Sequence, residues 1–105
     1  MLRGSLRRGL ELVRRRTHRG PPLSVVLHER PGCHLCADVH RALRRIGLDR
    51  PLDVQRVDIE TDDALRDRYA LRIPVLRVRE RELDAAGLDD AAIARWLEEG
   101  ERAGV

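Results

Sequence analysis

The sequence predicts an α/β fold: a mixed four-stranded sheet with elements in the order β-α-β-α-β-β-α and helices on both faces. Three observations carry this expectation. Apolar residues fall alternately into short continuous runs suited to buried strands and into segments with helical spacing. A strand, a helix and a second strand in succession make a right-handed parallel βαβ unit, because a right-twisted strand feeding a crossover helix packs back on the sheet only that way. Two last short runs, separated by a tight connection, add an antiparallel hairpin.

Each element has its own signal. Leu23-Ser24-Val25-Val26-Leu27 is a short apolar run ended by Pro31-Gly32, and reads as a buried strand. From His34 to Gly47, Leu35, Val39, Ala42, Leu43 and Ile46 share one helical face, with Gly47 as the expected C-cap. Val54 to Ile59 is a second strand. Thr61 or Asp62 caps a short helix carrying Leu65 and Tyr69. Pro74 precedes a third strand, Val75-Leu76-Arg77-Val78, and Glu80-Arg81 connects it tightly to a brief strand at Glu82-Leu83-Asp84. Asp89 or Asp90 caps a last helix with Ile93, Trp96 and Leu97 on one face.

The 105 residues suit one domain. There is no Phe and aromatics make up 2%, so the core must be Leu, Val, Ile and Ala. All 21 basic residues are Arg, yet the net charge is only +3. That balance, without a basic stripe and stacking aromatics, argues against a nucleic-acid binder. No apolar run approaches the ~18 residues of a membrane span.

Residues 1–22 differ from the rest and are set apart from a domain at 23–105. Seven arginines face a single acid, Glu11, and Leu2, Leu6, Leu10 and Val13 recur at helical spacing before Gly20-Pro21-Pro22 breaks the pattern. The segment is a loosely docked extension, or a basic amphipathic helix able to associate weakly with an anionic lipid surface or RNA. It lacks a continuous apolar stretch and a small-residue cleavage site, so the expected location is the cytoplasm.

Cys33 and Cys36 are the only cysteines, in Pro31-Gly32-Cys33-His34-Leu35-Cys36. In a reducing compartment such a pair is more often catalytic than structural. Two sulfurs at this spacing, at the start of a helix, can make and break one disulfide. A thiolate, not a thiol, attacks a disulfide, and free cysteine with a pKa of about 8.5 is mostly protonated at neutral pH. At the helix start, unpaired N–H groups solvate a sulfur anion. His34 adds a titratable neighbour and Arg30 a nearby fixed positive charge. Cys36 lies almost one turn deeper, which suits Cys33 to be the nucleophile and Cys36 the resolving thiol.

Plainer readings stand beside these. Half a zinc site is one: with His40 the cysteines make three ligands, short of the four that structural zinc takes. His40 otherwise reads as a half-exposed helix residue, His18 carries little signal, and His28, at a strand end, reads as a surface or edge residue. Asp89 and Asp90 are explained by helix capping alone.

The run Leu27-His28-Glu29-Arg30-Pro31-Gly32-Cys33-His34-Leu35-Cys36, with Val57-Asp58-Ile59 and Arg72-Ile73-Pro74-Val75-Leu76, resembles the glutaredoxin branch of the thioredoxin superfamily, and in particular its small bacterial glutaredoxin-like proteins. The resemblance spans about residues 23–99 and implies a thioredoxin-like fold. It also implies a cis Pro74 packed against the sulfurs and a substrate or glutathione backbone pairing just before it, beside Ile73. Arg30 takes the place of a basic residue that binds a glutathione carboxylate. Ala86-Gly87-Leu88-Asp89-Asp90 resembles a Gly-Gly-x-Asp-Asp turn that holds the γ-glutamyl end, which puts Gly87 and Asp89 in the site; Ala86 replaces its first glycine. Between the cysteines, His34-Leu35 replaces the usual Pro-Tyr, and a histidine there should make the disulfide more oxidising. Thioredoxins proper carry a buried acid and a Trp where this chain has Leu27 and Gly32.

The expected function is therefore thiol–disulfide oxidoreduction. Cys33 and Cys36 are catalytic, and Arg30, His34, Leu35, Ile73, Pro74, Gly87 and Asp89 contact substrate. No tightly bound cofactor or metal is expected; glutathione can serve as reductant, and the partners are glutathione or a protein bearing a disulfide. The alternative is a non-catalytic binding module in which the cysteine pair is only a redox-sensitive latch.

Overall fold

The computed structural model describes residues 21–103. The expected amphipathic segment with Leu2, Leu6, Leu10 and Val13, and His18 after it, lie outside the described residues. Strands β1 (Leu23–Glu29), β2 (Leu52–Asp58), β3 (Val75–Val78) and β4 (Arg81–Asp84) alternate with helices α1 (His34–Ile46), α2 (Asp63–Tyr69) and α3 (Asp90–Ala103). A 3-10 turn at Ile59–Thr61 joins β2 to α2. The sheet order is β2-β1-β3-β4. β1 and β2 are parallel, while β3 is antiparallel to both β1 and β4. This is the mixed α/β architecture that the element order predicts, and it agrees with the thioredoxin-like fold that the resemblance implies.

Alternation along the strands divides the interior in two. Val25 and Leu27 of β1, with Leu76 and Val78 of β3, point to one face, where Val39, Ala42 and Leu43 of α1 and Ile93 and Leu97 of α3 cover them. Val75 points to the other face and packs with Ile59 and Tyr69 at the ends of β2 and α2. With no Phe to fill space, the core rests on aliphatic side chains such as Leu27, Leu43, Leu76, Ile93 and Leu97, all fully buried. Each contributes about 1.5–3 kcal/mol relative to exposure. Gly100 lets α3 approach β3 closely: a Cβ there would stand 3.3 Å from Val78 Cγ1.

Caps set the helix limits. Asp62 accepts from the Leu65 N–H at 3.1 Å to begin α2, and Asp89 accepts from the Ala92 N–H at 2.8 Å to begin α3. Gly47 is the C-cap of α1, but in right-handed geometry with φ −63°. Its lack of a side chain matters for space instead, since a Cβ would meet the Leu43 carbonyl oxygen at 3.2 Å.

Three boundaries differ from expectation. β1 runs on to Glu29, because His28 and Glu29 still find partners in Val57 and Asp58 of β2. β2 starts at Leu52, where the same register reaches Leu23. The last hairpin turns at Arg79-Glu80, and Arg81 already pairs with Val78. Arg79 takes the left-handed conformation with φ 56° that such a two-residue turn demands, a role usually given to Gly or Asn.

Candidate functional site

β1 ends at Glu29, and four residues carry the chain to the N-terminus of α1. Gly32 makes the bend in left-handed conformation, φ +75°. Cys33 is the N-cap, with φ −89° and ψ 108°, and its Sγ accepts the backbone N–H of Cys36 at 3.1 Å. Sulfur therefore stands where a Ser or Asp oxygen usually does, taking up a donor the helix leaves unpaired. The Cys33 carbonyl accepts from the Ala37 N–H at 3.1 Å, closing the first helical turn. The two cysteines are joined in a disulfide with Cα atoms 5.2 Å apart. Cys33 is half-buried, whereas Cys36 is only 1% exposed.

A cleft of about 440 Å³ opens beside Cys33. Arg30 and His34 border it, together with Glu29, Arg56 and Asp58. The parallel register pairs Glu29 with Asp58, so Arg56, two residues back on the same face, reaches the Glu29 carboxylate diagonally. It donates through both Nε and Nη2, the latter at 3.1 Å, to a carboxylate that is largely buried. His40 stands on α1 near this pair, and burial, then the Arg56 charge, pushes its pKa down.

The start of β3 lies at the same end of the sheet as the end of β1. The Ile73–Pro74 peptide bond is cis, and the Pro74 side chain is fully buried. β1–β3 pairing runs from Val26 to His28 opposite Arg77 to Val75, so Pro74 stands at the sheet end where β1 hands over to the Cys33 loop. The Pro74 carbonyl accepts from the Ala85 N–H at 2.9 Å, which ties the β4–α3 connection to it. That connection turns through Gly87, φ +75°, to Asp89. Of the residues expected at a site, Arg30, His34 and Cys33 thus share one cleft. Ile73, Pro74, Gly87 and Asp89 belong to the β3–β4 side and do not line it; nor does Leu35, which is exposed.

His28 is a correction. Far from being a surface residue, it is 3% exposed and stacks on Tyr69, with ring centroids 4.1 Å apart. The longer β1 carries it inward, between β2 and β3. Neither ring nitrogen has a hydrogen-bond partner, and burial, reinforced by Arg77, pushes its pKa below 6.5. The Tyr69 hydroxyl donates to Glu82, which Arg68 and Arg72 also contact at 3.3 and 3.4 Å. That hydroxyl bond and Arg68 hold the Glu82 carboxyl below its ordinary range. Arg72 also grips Asp84, with its shortest contact at 2.8 Å.

Glu29, Arg56 and Asp58 were not among the residues expected from sequence. Only the position of Glu29, next to Arg30, hinted at the site; Arg56 and Asp58 arrive through β1–β2 register, which no local pattern encodes. Among the described residues, no group of three or more His, Cys, Asp or Glu side chains could hold a metal ion. Nor is any of their helices long and apolar enough to cross a membrane.

Residues 24–98 match the family described as Glutaredoxin-like domain (DUF836). The chain is also similar to XcR50 from X. campestris, a Northeast Structural Genomics target protein, in its X-ray structure. The two are 36% identical with a TM-score of 0.64, over 71% of this chain and 96% of that one. The solution structure of XcR50 gives a TM-score of 0.62 over 92% of its chain, at the same identity. No curated protein matches the chain significantly.

Proposed function

The chain belongs to the Glutaredoxin-like domain (DUF836) family, and we propose that it is a dithiol–disulfide oxidoreductase. In this reading Cys33 is the attacking thiolate and Cys36 the resolving thiol. The supporting observation is the asymmetry of the pair: Cys33 is partly open to a cleft and its sulfur receives a helix N-terminal N–H, while Cys36 is buried behind it. A thiolate at Cys33 keeps that donor and gains from the positive end of the α1 dipole.

The reaction balances as follows. The reduced Cys33 thiolate attacks one sulfur of a substrate disulfide, forms a mixed disulfide and expels the other sulfur as a thiolate, which takes a proton. Cys36, losing its proton, attacks Cys33 Sγ, forms the Cys33–Cys36 disulfide and releases the second substrate thiolate. Two electrons have passed to the substrate, and two thiols of glutathione or an equivalent reductant restore the dithiol. Arg30 and His34 border the approach to Cys33, and the Arg30 guanidinium favours anionic groups. In this reading Leu35, Ile73, Pro74, Gly87 and Asp89 contact the substrate outside that cleft, and its backbone lies along the residue before Pro74. The cytoplasm is the compartment where this chemistry runs in the reducing direction.

A coupled assay tests the reading: reduction of a glutathione mixed disulfide, followed through glutathione reductase and, in parallel, of a protein disulfide through thioredoxin reductase. Turnover by the wild-type chain in either arm supports it. No turnover in both, with the protein folded and fully reduced at the start, rejects it in favour of a binding module.

A further inference from the structure

Glu29, Arg30, Arg56 and Asp58 line the cleft beside Cys33. Along β2, Val54 packs against the core, and strand alternation puts Arg56 and Asp58 on that same face. A face that begins apolar therefore ends in two charges next to the sulfur. β2 is an edge of the sheet. The Arg56 side chain on it is 53% accessible, whereas Glu29, on the inner strand β1, is 12% accessible. A partly buried ion pair holds a fold together no better than apolar side chains of similar size. Stability alone is thus a weak reason for a Glu29–Arg56 pair at this spot.

Donors and acceptors in the cleft do not balance. Both oxygens of Glu29 accept from Arg56, and Asp58 Oδ1 accepts from the Glu60 N–H at 2.9 Å. The acids are therefore largely engaged. The cations are not. Arg56 spends Nε and Nη2 on Glu29 and keeps Nη1 free of any partner among the described residues. Because a guanidinium is planar and rigid, the two bonds to Glu29 also fix where Nη1 stands. Arg30 has no ion pair among the described residues. What the cleft is left able to bind is an anion with oxygen acceptors. Its volume of about 440 Å³ is that of a small-molecule site.

We propose that Arg56, held in place by Glu29, is a specificity-determining residue that joins Arg30 in binding a carboxylate on the small thiol half of a disulfide substrate. This rests on the redox reading above and narrows its substrate class to small disulfides with a carboxylate a few bonds from the sulfur. Arg30 is expected by resemblance to meet a carboxylate; no such expectation attaches to Arg56 or Glu29. Arg56 is the binding residue, and Glu29 is its positioning residue.

The test oxidises the fully reduced full chain with three disulfides of similar size: dithiodipropionate, bis(hydroxyethyl) disulfide and cystamine, which are anionic, neutral and cationic. Each reaction turns the Cys33–Cys36 dithiol and one disulfide into the protein disulfide and two small thiols. Dividing each rate by that of the same disulfide with dithiothreitol removes the effect of the leaving thiol. The chain should prefer the anionic over the neutral disulfide by roughly tenfold, the size of one charge-assisted hydrogen bond. A general folding defect slows all three disulfides alike and leaves this ratio unmoved. Arg56→Met should lower the ratio by about threefold or more. Arg95→Met removes the same charge from an exposed site on α3 and should keep the ratio. Glu29→Met adds net positive charge to the cleft but frees Arg56, so the ratio should fall here too. A wild-type chain without preference, a preference that survives Arg56→Met, or a rise in Glu29→Met overturns the proposal. The last result would mean that net charge, and not a held donor, attracts the anion. A second measurement does not depend on turnover. Methylthiopropionate, which cannot exchange, is titrated into the oxidised chain beside methylthiopropanol. Saturable shifts of the Arg30 and Arg56 Nε–H signals with the carboxylate alone support the site, and their absence rejects it. A chain that binds the carboxylate in this way but reacts with no disulfide keeps the anion site and loses the redox reading.

Discussion

Cys36 donates its backbone N–H to the Sγ of Cys33 at 3.1 Å, so the sulfur that is open to the cleft is also the helix cap. In the reduced protein this donor favours the Cys33 thiolate over the thiol. Alkylation of Cys33 by iodoacetamide, followed against pH in Cys36→Ser, should titrate with a midpoint well below the ordinary value of about 8.5. A midpoint at or above that value would remove the electrostatic basis of the assignment.

Gly32 places that cap. Its φ of +75° is a conformation that a side chain resists, although nothing stands within 4 Å of a Cβ added there. The cost of substitution is therefore backbone strain and not collision. Gly32→Ala should lose about 1–2 kcal/mol in urea unfolding, and Gly32→Asn distinctly less, because Asn tolerates the left-handed region. Equal losses would point to a steric cause.

Glu29 and Arg56 floor the cleft as an ion pair with unequal exposure, the side chains being 12% and 53% accessible. Removing the arginine leaves a mostly buried carboxylate without its partner. Arg56→Met should cost about 1–2 kcal/mol, less than for a fully buried pair because water reaches the guanidinium. Adding Glu29→Gln should recover part of the loss, and a double-mutant cycle by denaturant unfolding measures the coupling.

His28 predicts a slope of stability with pH. Burial holds its folded-state pKa below 6.5, so below that pH the unfolded chain takes up a proton that the folded chain refuses. The stability linked to neutral His28 is complete above pH 6.5 and is lost as the pH falls toward the lowered value. His40 is shifted the same way. His28→Phe keeps a ring against Tyr69 and removes two unpaired nitrogens, so it should raise stability by roughly 1 kcal/mol at pH 7 and flatten the slope between pH 7 and 5. Thermal melts across that range check both; an unchanged slope means that other groups carry it.

Glu82 gathers the Tyr69 hydroxyl, Arg68 and Arg72. Its lowered pKa means that its contribution is complete above about pH 4.5 and is lost in stronger acid. Glu82→Ala should cost about 1–3 kcal/mol, by stranding a half-buried hydroxyl and loosening Arg72. Hydrogen exchange of the Arg72 and Ile73 amides, both bound to the Tyr69 carbonyl, should quicken more than exchange in α1.

What was legible in the sequence was local or periodic. The alternation of apolar runs and helical faces gives the element order, and the Cys33–Cys36 spacing after Pro31-Gly32 places the sulfurs at a helix start. Asp62 and Asp89 announce their helices by the same capping chemistry. What was not legible depends on register and on pairing between distant segments. His28 looks like a strand end until β2 and β3 are seen to flank it. Arg56 and Asp58 reach the cleft only because β1 and β2 are parallel with Glu29 opposite Asp58. The turn at Arg79-Glu80 hides because an arginine occupies a conformation that glycine or asparagine would have advertised.

The most direct test of the central claim is to trap the covalent intermediate. Cys36→Ser, fully reduced and mixed with a peptide–glutathione disulfide, should accumulate a mixed disulfide located at Cys33 by mass spectrometry. Cys33→Ser should form none at Cys36 on the same timescale. A mixed disulfide at Cys36 in Cys33→Ser that forms as fast as the one at Cys33, or none at Cys33 while the small disulfide is still being reduced, would contradict the assignment of attacking and resolving thiols.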